Sequence, residues 1–183
     1  MKTEINRNTL ELITGDITEQ ETDAIVNAAN GSLLGGGGVD GAIHRAAGKE
    51  LLEACKEVRQ EQLAGEKLST GEAVITNGYN LPANYVIHTV GPVWNERDQH
   101  QEDLLVNCYR NSLELAMTHN ATSIAFPSIS TGVYRFSVEL AANIALQTIT
   151  DFLTDHDLGN VVMVLFSEND YATYETSLRK IQR

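Results

Sequence analysis

Asn27-Ala28-Ala29-Asn30-Gly31-Ser32-Leu33-Leu34-Gly35-Gly36-Gly37-Gly38-Val39-Asp40-Gly41-Ala42-Ile43-His44 decides how the rest of the chain reads. The residues before it, Ala24 to Asn27, form a short strand, and Val39 to Ala47 start a helix. Between them lie four consecutive glycines, Gly35 to Gly38. Such a run is costly to order, because glycine loses the most backbone entropy on folding. It makes sense where backbone must approach a ligand closely. A glycine turn feeding a helix N-terminus offers N–H groups and a positive dipole end to an anion. Gly36, Gly38 and Gly41 also match G-x-G-x-x-G, but Ala28 to Leu34 separate that match from the strand. A dinucleotide fingerprint has its glycines directly after the strand, and its acidic residue on a second strand. Glu57 and Glu61 instead sit in a helical stretch, and no G-x-x-x-x-G-K-[ST] is present.

Strands and helices alternate outward from this loop. Asn8–Thr14, Glu72–Thr76, Tyr85–Val90, Ser123–Phe126 and Val161–Phe166 read as strands. Glu50–Gln62, Gln101–His119, a segment from the Ser137 cap to about Leu153, and Asp170–Ile181 read as helices. This alternation predicts an α/β fold with a largely parallel sheet covered on both faces. Ligands of such sheets sit at the carboxyl ends of the strands. Attention therefore falls on the segments that leave Asn27, Phe126 and Phe166.

A chain of 183 residues is expected to form a single domain, residues 1–183. Cys55 and Cys108 read as buried free thiols, since two cysteines in helical stretches make neither a disulfide framework nor a metal site. No metal constellation and no cofactor motif appear. The polar N-terminus and the lack of a long apolar run predict a cytoplasmic protein with no membrane contact. A formal net charge of -12 argues against direct nucleic-acid binding. It leaves anionic ligands possible only where backbone N–H groups hold them.

Individual residues carry double readings. Asp40 is either a carboxylate placed at a helix start by the dipole, or a group that orients a water or binds ribose hydroxyls. Asn30 is a turn residue or an amide that fixes a hydroxyl. Asn27 reads as stabilising the turn out of its strand, His44 as packing near the loop and His88 as a strand residue. In Phe126-Pro127-Ser128-Ile129-Ser130-Thr131-Gly132-Val133-Tyr134, successive N–H groups make a nest suited to a diphosphate. Asp16 caps a turn or accepts from an exocyclic amine. Phe166 belongs to the core or stacks on a base.

Five segments, taken together and in order, resemble the macrodomain family and its MacroD-type hydrolase branch. They are Gly15-Asp16-Ile17-Thr18, Ala24 to Asn30, Gly35 to His44, His88-Thr89-Val90-Gly91-Pro92 and Ser128 to Tyr134. The resemblance implies a three-layer α/β/α sandwich around a mixed, largely parallel sheet. It implies Asp16, Ile17 and Phe166 at an adenine, and Gly37, Gly38 and Val39 at the distal ribose and diphosphate. It places Ser130, Thr131, Gly132, Val133 and Tyr134 around the diphosphate, and Asn30 and Asp40 in catalysis. Arg135-Phe136-Ser137 departs from the frequent Gly-Tyr-Pro of the family.

The implied activity is hydrolysis of the distal-ribose ester of O-acetyl-ADP-ribose and of proteins mono-ADP-ribosylated on Asp or Glu, by a monomeric bacterial protein. A carboxylate at a helix start is a weak general base near neutral pH, which favours an orienting role for Asp40. The rival readings are a non-catalytic ADP-ribose reader, a regulator of an RNA-processing enzyme and a nucleotide-binding oxidoreductase.

Overall fold

The computed structural model of the chain describes residues 1–98 and 100–183. Among the described residues, seven strands form one sheet in the order β1-β2-β7-β6-β3-β5-β4. They are β1 (Lys2–Ile5), β2 (Asn8–Thr14), β3 (Ala24–Ala28), β4 (Ala73–Asn77), β5 (Tyr85–Thr89), β6 (Ser123–Phe126) and β7 (Asn160–Leu165). The helices are α1 (Gly38–Ala47), α2 (Lys49–Gln62), α3 (Gln101–Thr118), α4 (Val138–Asp155) and α5 (Glu168–Ile181). The five inner strands run parallel, and β1 and β4 pair antiparallel at the two edges. The sheet is thus mixed and largely parallel, as expected.

The strand alternation explains the layers. In β3, Ala24 and Val26 face a core built with Leu105, Tyr109 and Leu113 of α3, Ile149 of α4 and Tyr174 of α5. Ile25 faces the other way, into a core with Ile43 of α1 and Leu51 and Cys55 of α2. Helices thus cover both faces, giving the α/β/α sandwich. Central strands buried on both sides need continuous apolar runs. Val161, Met163 and Leu165 of β7 meet one core, while Val164 meets the other.

β1 lies in the polar N-terminus, where the sequence pattern predicts no strand. Its residues alternate between exposed and half-buried, so no apolar period marks it. It forms because its partner β2 offers a free edge, with Thr3 opposite Leu10 and Ile5 opposite Asn8. Among the described residues, no helix is long and apolar enough to cross a membrane.

Candidate active site

In the sheet order β2-β7-β6-β3-β5, all carboxyl ends point the same way. The segments that leave them are therefore neighbours in space: Gly15–Glu19 after β2, Phe166 after β7, Pro127–Tyr134 after β6 and Ala29–Gly38 after β3. The fold gathers every stretch singled out in the sequence onto one rim.

The buried floor of this rim is Asp40, only 4% exposed in the first turn of α1. Asn27 Nδ2 donates to Asp40 Oδ1 at 2.9 Å, and His44 Nε2 lies 3.4 Å from the same oxygen. Asp40 Oδ2 is buried and has no hydrogen-bond partner among the described residues. An unsatisfied buried carboxylate oxygen is costly, which makes Asp40 Oδ2 a candidate contact for a bound group. Asn30 is exposed on the neighbouring loop. Its Nδ2 donates to Gly35 O at 3.0 Å, and Tyr134 Oη approaches its Oδ1 at 3.4 Å.

Gly36 brings these groups together. A Cβ at Gly36 would lie 2.6 Å from Asn30 Nδ2 and 3.3 Å from Asp40 Oδ2. The loop also presses on the helix, because a Cβ at Gly41 would lie 2.5 Å from Gly36 O. Gly38 has φ +58, a left-handed conformation that glycine adopts without penalty. The N-terminus of α1, which starts there, has no side-chain cap. Its first N–H groups are free for an external acceptor.

The second loop is tied down from beneath. Ile129 N–H donates to Tyr109 Oη at 3.1 Å, and Ser128 Oγ pairs with Tyr174 Oη at 2.6 Å. Burial raises both phenols, Tyr174 to about 12, so they stay protonated under this loop. Ser130 takes φ +68 and is buried, with its Oγ unpartnered. Arg135 N donates to Gly132 O and Phe136 N to Ser130 O, closing the turn. The departure Arg135-Phe136-Ser137 is accommodated. Phe136 is buried against Trp94, with ring centroids 5.0 Å apart, and Ser137 caps α4 by accepting from Leu140 N. Arg135 holds a positive φ of 68.

At the far end of the rim, Phe166 is 93% exposed, which removes the core reading of that residue. Val133 is 89% exposed. Asp16 is an exposed cap whose Oδ1 accepts from Thr18 N and Oγ1. Its capping role is therefore real, and its other oxygen stays available. Ile17 is buried and packs with α1.

The support under Asp40 is not evident from the sequence. Asn27 has the structural role expected of it at the end of its strand, and its partners are what the sequence does not show. It is fully buried in β3 and binds Asp40 and His88. His88 is held by burial to a pKa of about 3, with His44 adding repulsion, and so stays neutral. Cys55 lies 3.8 Å from His88 Nε2, and burial, then the Asp40 charge, pushes its thiol up to about 12. The available signal is strand alternation: Asn27, His88 and Thr76 share parity with Ile25, Val86 and Val74, all on the α1/α2 face.

Comparison with known proteins places this arrangement. Residues 26–145 match the family described as Macro domain. Two proteins named O-acetyl-ADP-ribose deacetylase are similar over nearly their full lengths. The one from Escherichia fergusonii is 53% identical, covering 94% of this chain and 96% of its own. The one from Klebsiella pneumoniae is 57% identical, covering 92% and 95%. The solved macrodomain of Oceanobacillus iheyensis with ADP superposes with a TM-score of 0.97 at 59% identity, covering 100% of this chain and 96% of that one. That macrodomain has also been solved as N30A, as D40A, and as G37V with ADPR.

Proposed function

The chain belongs to the macrodomain family, and from that premise we propose that it binds ADP-ribose and hydrolyses the ester at the distal ribose of O-acetyl-ADP-ribose. The observation that carries the reading is the buried, unpartnered Oδ2 of Asp40 beside the Asn30 amide, at the foot of an uncapped helix. The relatives named as deacetylases support the reaction class. The substitutions made in the Oceanobacillus protein carry the residue types and numbers of Asn30, Gly37 and Asp40 here.

The rim residues support one placement of the ligand. Phe166 offers an exposed ring to a base, and the free oxygen of Asp16 accepts its exocyclic amine. Backbone N–H groups around Gly37, Gly38 and Val39, and from Ser130 through Thr131, Gly132 and Val133 to Tyr134, hold the diphosphate. Such holding suits a chain of net charge -12, which has little cationic surface to spend on phosphate. Asn30 positions a ribose hydroxyl. Asp40 orients a water whose oxygen adds to the ester carbon. The bond from the ester carbon to the ribose oxygen then breaks, one water proton ends on the departing ribose oxygen, the other is released to solvent, and acetate and ADP-ribose leave. Binding energy from the diphosphate and base fixes this geometry.

A Cβ at Gly36 would lie 3.3 Å from Asp40 Oδ2, so glycine at this position keeps side-chain bulk away from that oxygen. Esters of protein Asp or Glu with ADP-ribose are proposed as further substrates, because Asn30 and Leu34 leave the distal side of the rim exposed.

Replacing Asp40 by Ala tests the reading. Turnover of O-acetyl-ADP-ribose should fall at least about a hundredfold, while ADP-ribose affinity changes by no more than a few-fold. Full turnover in Asp40→Ala would exclude the mechanism.

A further inference from the structure

Beneath Asp40 runs a buried polar chain that the ester hydrolysis does not itself require. Asn27 on β3 and His88 on β5 are direct partners in the parallel register. Asn27 Nδ2 lies 2.9 Å from Asp40 Oδ1 and 3.1 Å from His88 Nδ1. His88 Nε2 lies 3.0 Å from Thr76 Oγ1 on β4. Asn27, His88 and Thr76 are all buried.

Hydrogen-bond chemistry fixes the protons along this chain. Asp40 as a carboxylate only accepts, so the atom of Asn27 facing it must be the amide nitrogen. A flipped amide would set an oxygen against a carboxylate oxygen. The same nitrogen then points its second hydrogen at His88 Nδ1, which must be an unprotonated acceptor. The remaining proton sits on Nε2, which faces Thr76 Oγ1 at 3.0 Å and Cys55 Sγ at 3.8 Å, and the nearer hydroxyl oxygen is the better acceptor. The cost of this arrangement is visible, since Asn27 Oδ1 is buried without a partner. A histidine protonated on Nδ1 would relieve that oxygen by turning the amide over, and would thereby remove the hydrogen bond to Asp40.

We propose that His88 is a positioning residue for the reaction: as the neutral Nε2–H tautomer, anchored by Thr76, it locks the Asn27 amide so that Asp40 Oδ1 is occupied and Oδ2 alone is presented to the water. The inference rests on the ester-hydrolase reading. It goes beyond it by assigning function to two side chains, His88 and Thr76, that do not reach the substrate.

The test combines kinetics with the tautomer itself. His88→Leu should lower kcat for O-acetyl-ADP-ribose by about tenfold or more, with KM and ADP-ribose affinity within about twofold. His88→Asn, whose side-chain oxygen restores an acceptor for Asn27, should recover most of that loss. Thr76→Val, which keeps the volume near His88, should cost kcat a few-fold and serves should His88→Leu fold poorly. Nitrogen NMR of the unsubstituted protein should show His88 neutral and protonated on Nε2 from about pH 5 to 8. A proton on Nδ1, unchanged kcat in His88→Leu and in Thr76→Val, or a loss of ADP-ribose affinity matching the loss of kcat would overturn the inference and leave the hydrolase reading standing. No turnover by the unsubstituted protein would overturn the hydrolase reading, and the inference with it.

Discussion

The floor and the rim of the cleft are built on opposite principles, although Gly36 of the floor and Gly37 of the rim are adjacent in sequence. At the floor the protein fills its own space. Gly36 and Gly41 are glycine because a Cβ would strike Asn30 or the backbone of the loop, and Asp40 Oδ1, Asn27 and His88 satisfy one another. At the rim the protein fills almost nothing. A Cβ at Gly37, Gly38 or Gly132 would meet nothing within 4 Å, and Phe166 and Val133 stand in solvent. Floor residues are thus held by contacts within the chain, while these rim residues make few such contacts. The difference teaches where to look for each kind of defect. Damage to the floor should cost turnover, stability or both, and damage to the rim should cost affinity alone.

Gly36→Ala should show the largest effect. Its Cβ must displace Asn30 Nδ2 and crowd Asp40 Oδ2, so turnover should fall about a hundredfold, as for misplacement of a reacting group. Its stability cost should be small, because the atom displaced is the end of an exposed side chain, whereas Gly41→Ala, whose Cβ meets Gly36 O at 2.5 Å, should lower stability by about 1–3 kcal/mol, read by denaturant unfolding. If Gly36→Ala turns over normally, the floor is not the tightly fitted element described.

The acid limb of stability comes next. His88 is neutral in the fold down to about pH 3, whereas its ordinary value is 6.5. Between those values the unfolded chain binds a proton that the native protein does not. Stability is therefore complete above pH 6.5 and declines as pH falls toward 3, by up to about 1.4 kcal/mol per pH unit from this group. In His88→Asn, urea unfolding measured between about pH 4 and 7 should have a shallower slope. An identical slope would place the acid sensitivity elsewhere.

The rim predictions are smaller and of the other kind. Phe166→Ala should weaken ADP-ribose binding by about 1 kcal/mol or somewhat more, on the scale of base–aromatic stacking. The melting temperature should not move, because the ring has no core contact to lose. Gly132→Ala should weaken binding a few-fold at most, again without change in melting. A drop in melting temperature for either would erase the distinction between floor and rim.

The same division governs what the sequence disclosed. Strands β2 to β7 and all the helices are legible from apolar period and caps to within a residue or two at most ends, because each buries a regular face. β1 escapes because Lys2-Thr3-Glu4-Ile5 is short, has no fully buried residue and owes its form to pairing with β2. Rim residues stand out in the sequence as runs of glycine and small hydroxyl side chains, which no core requires. Asp40 and Asn30 are legible because they flank that run. Asn27 and His88 are not, since they are linked across 61 positions by strand register and look locally like ordinary strand polar residues. Phe166 has two readings because a large apolar residue after an apolar strand fits either a core or a ligand, and its 93% exposure removes the core reading.

The central claim is that a ligand completes the rim while the floor performs ester hydrolysis. It is tested most directly by a calorimetric titration with ADP-ribose, then with O-acetyl-ADP-ribose and identification of the products. The account predicts saturable binding of ADP-ribose and release of one acetate for each O-acetyl-ADP-ribose consumed. Binding without acetate would contradict the hydrolytic role of Asp40 and leave a reader of ADP-ribose. Absence of binding would contradict the ligand assigned to the rim.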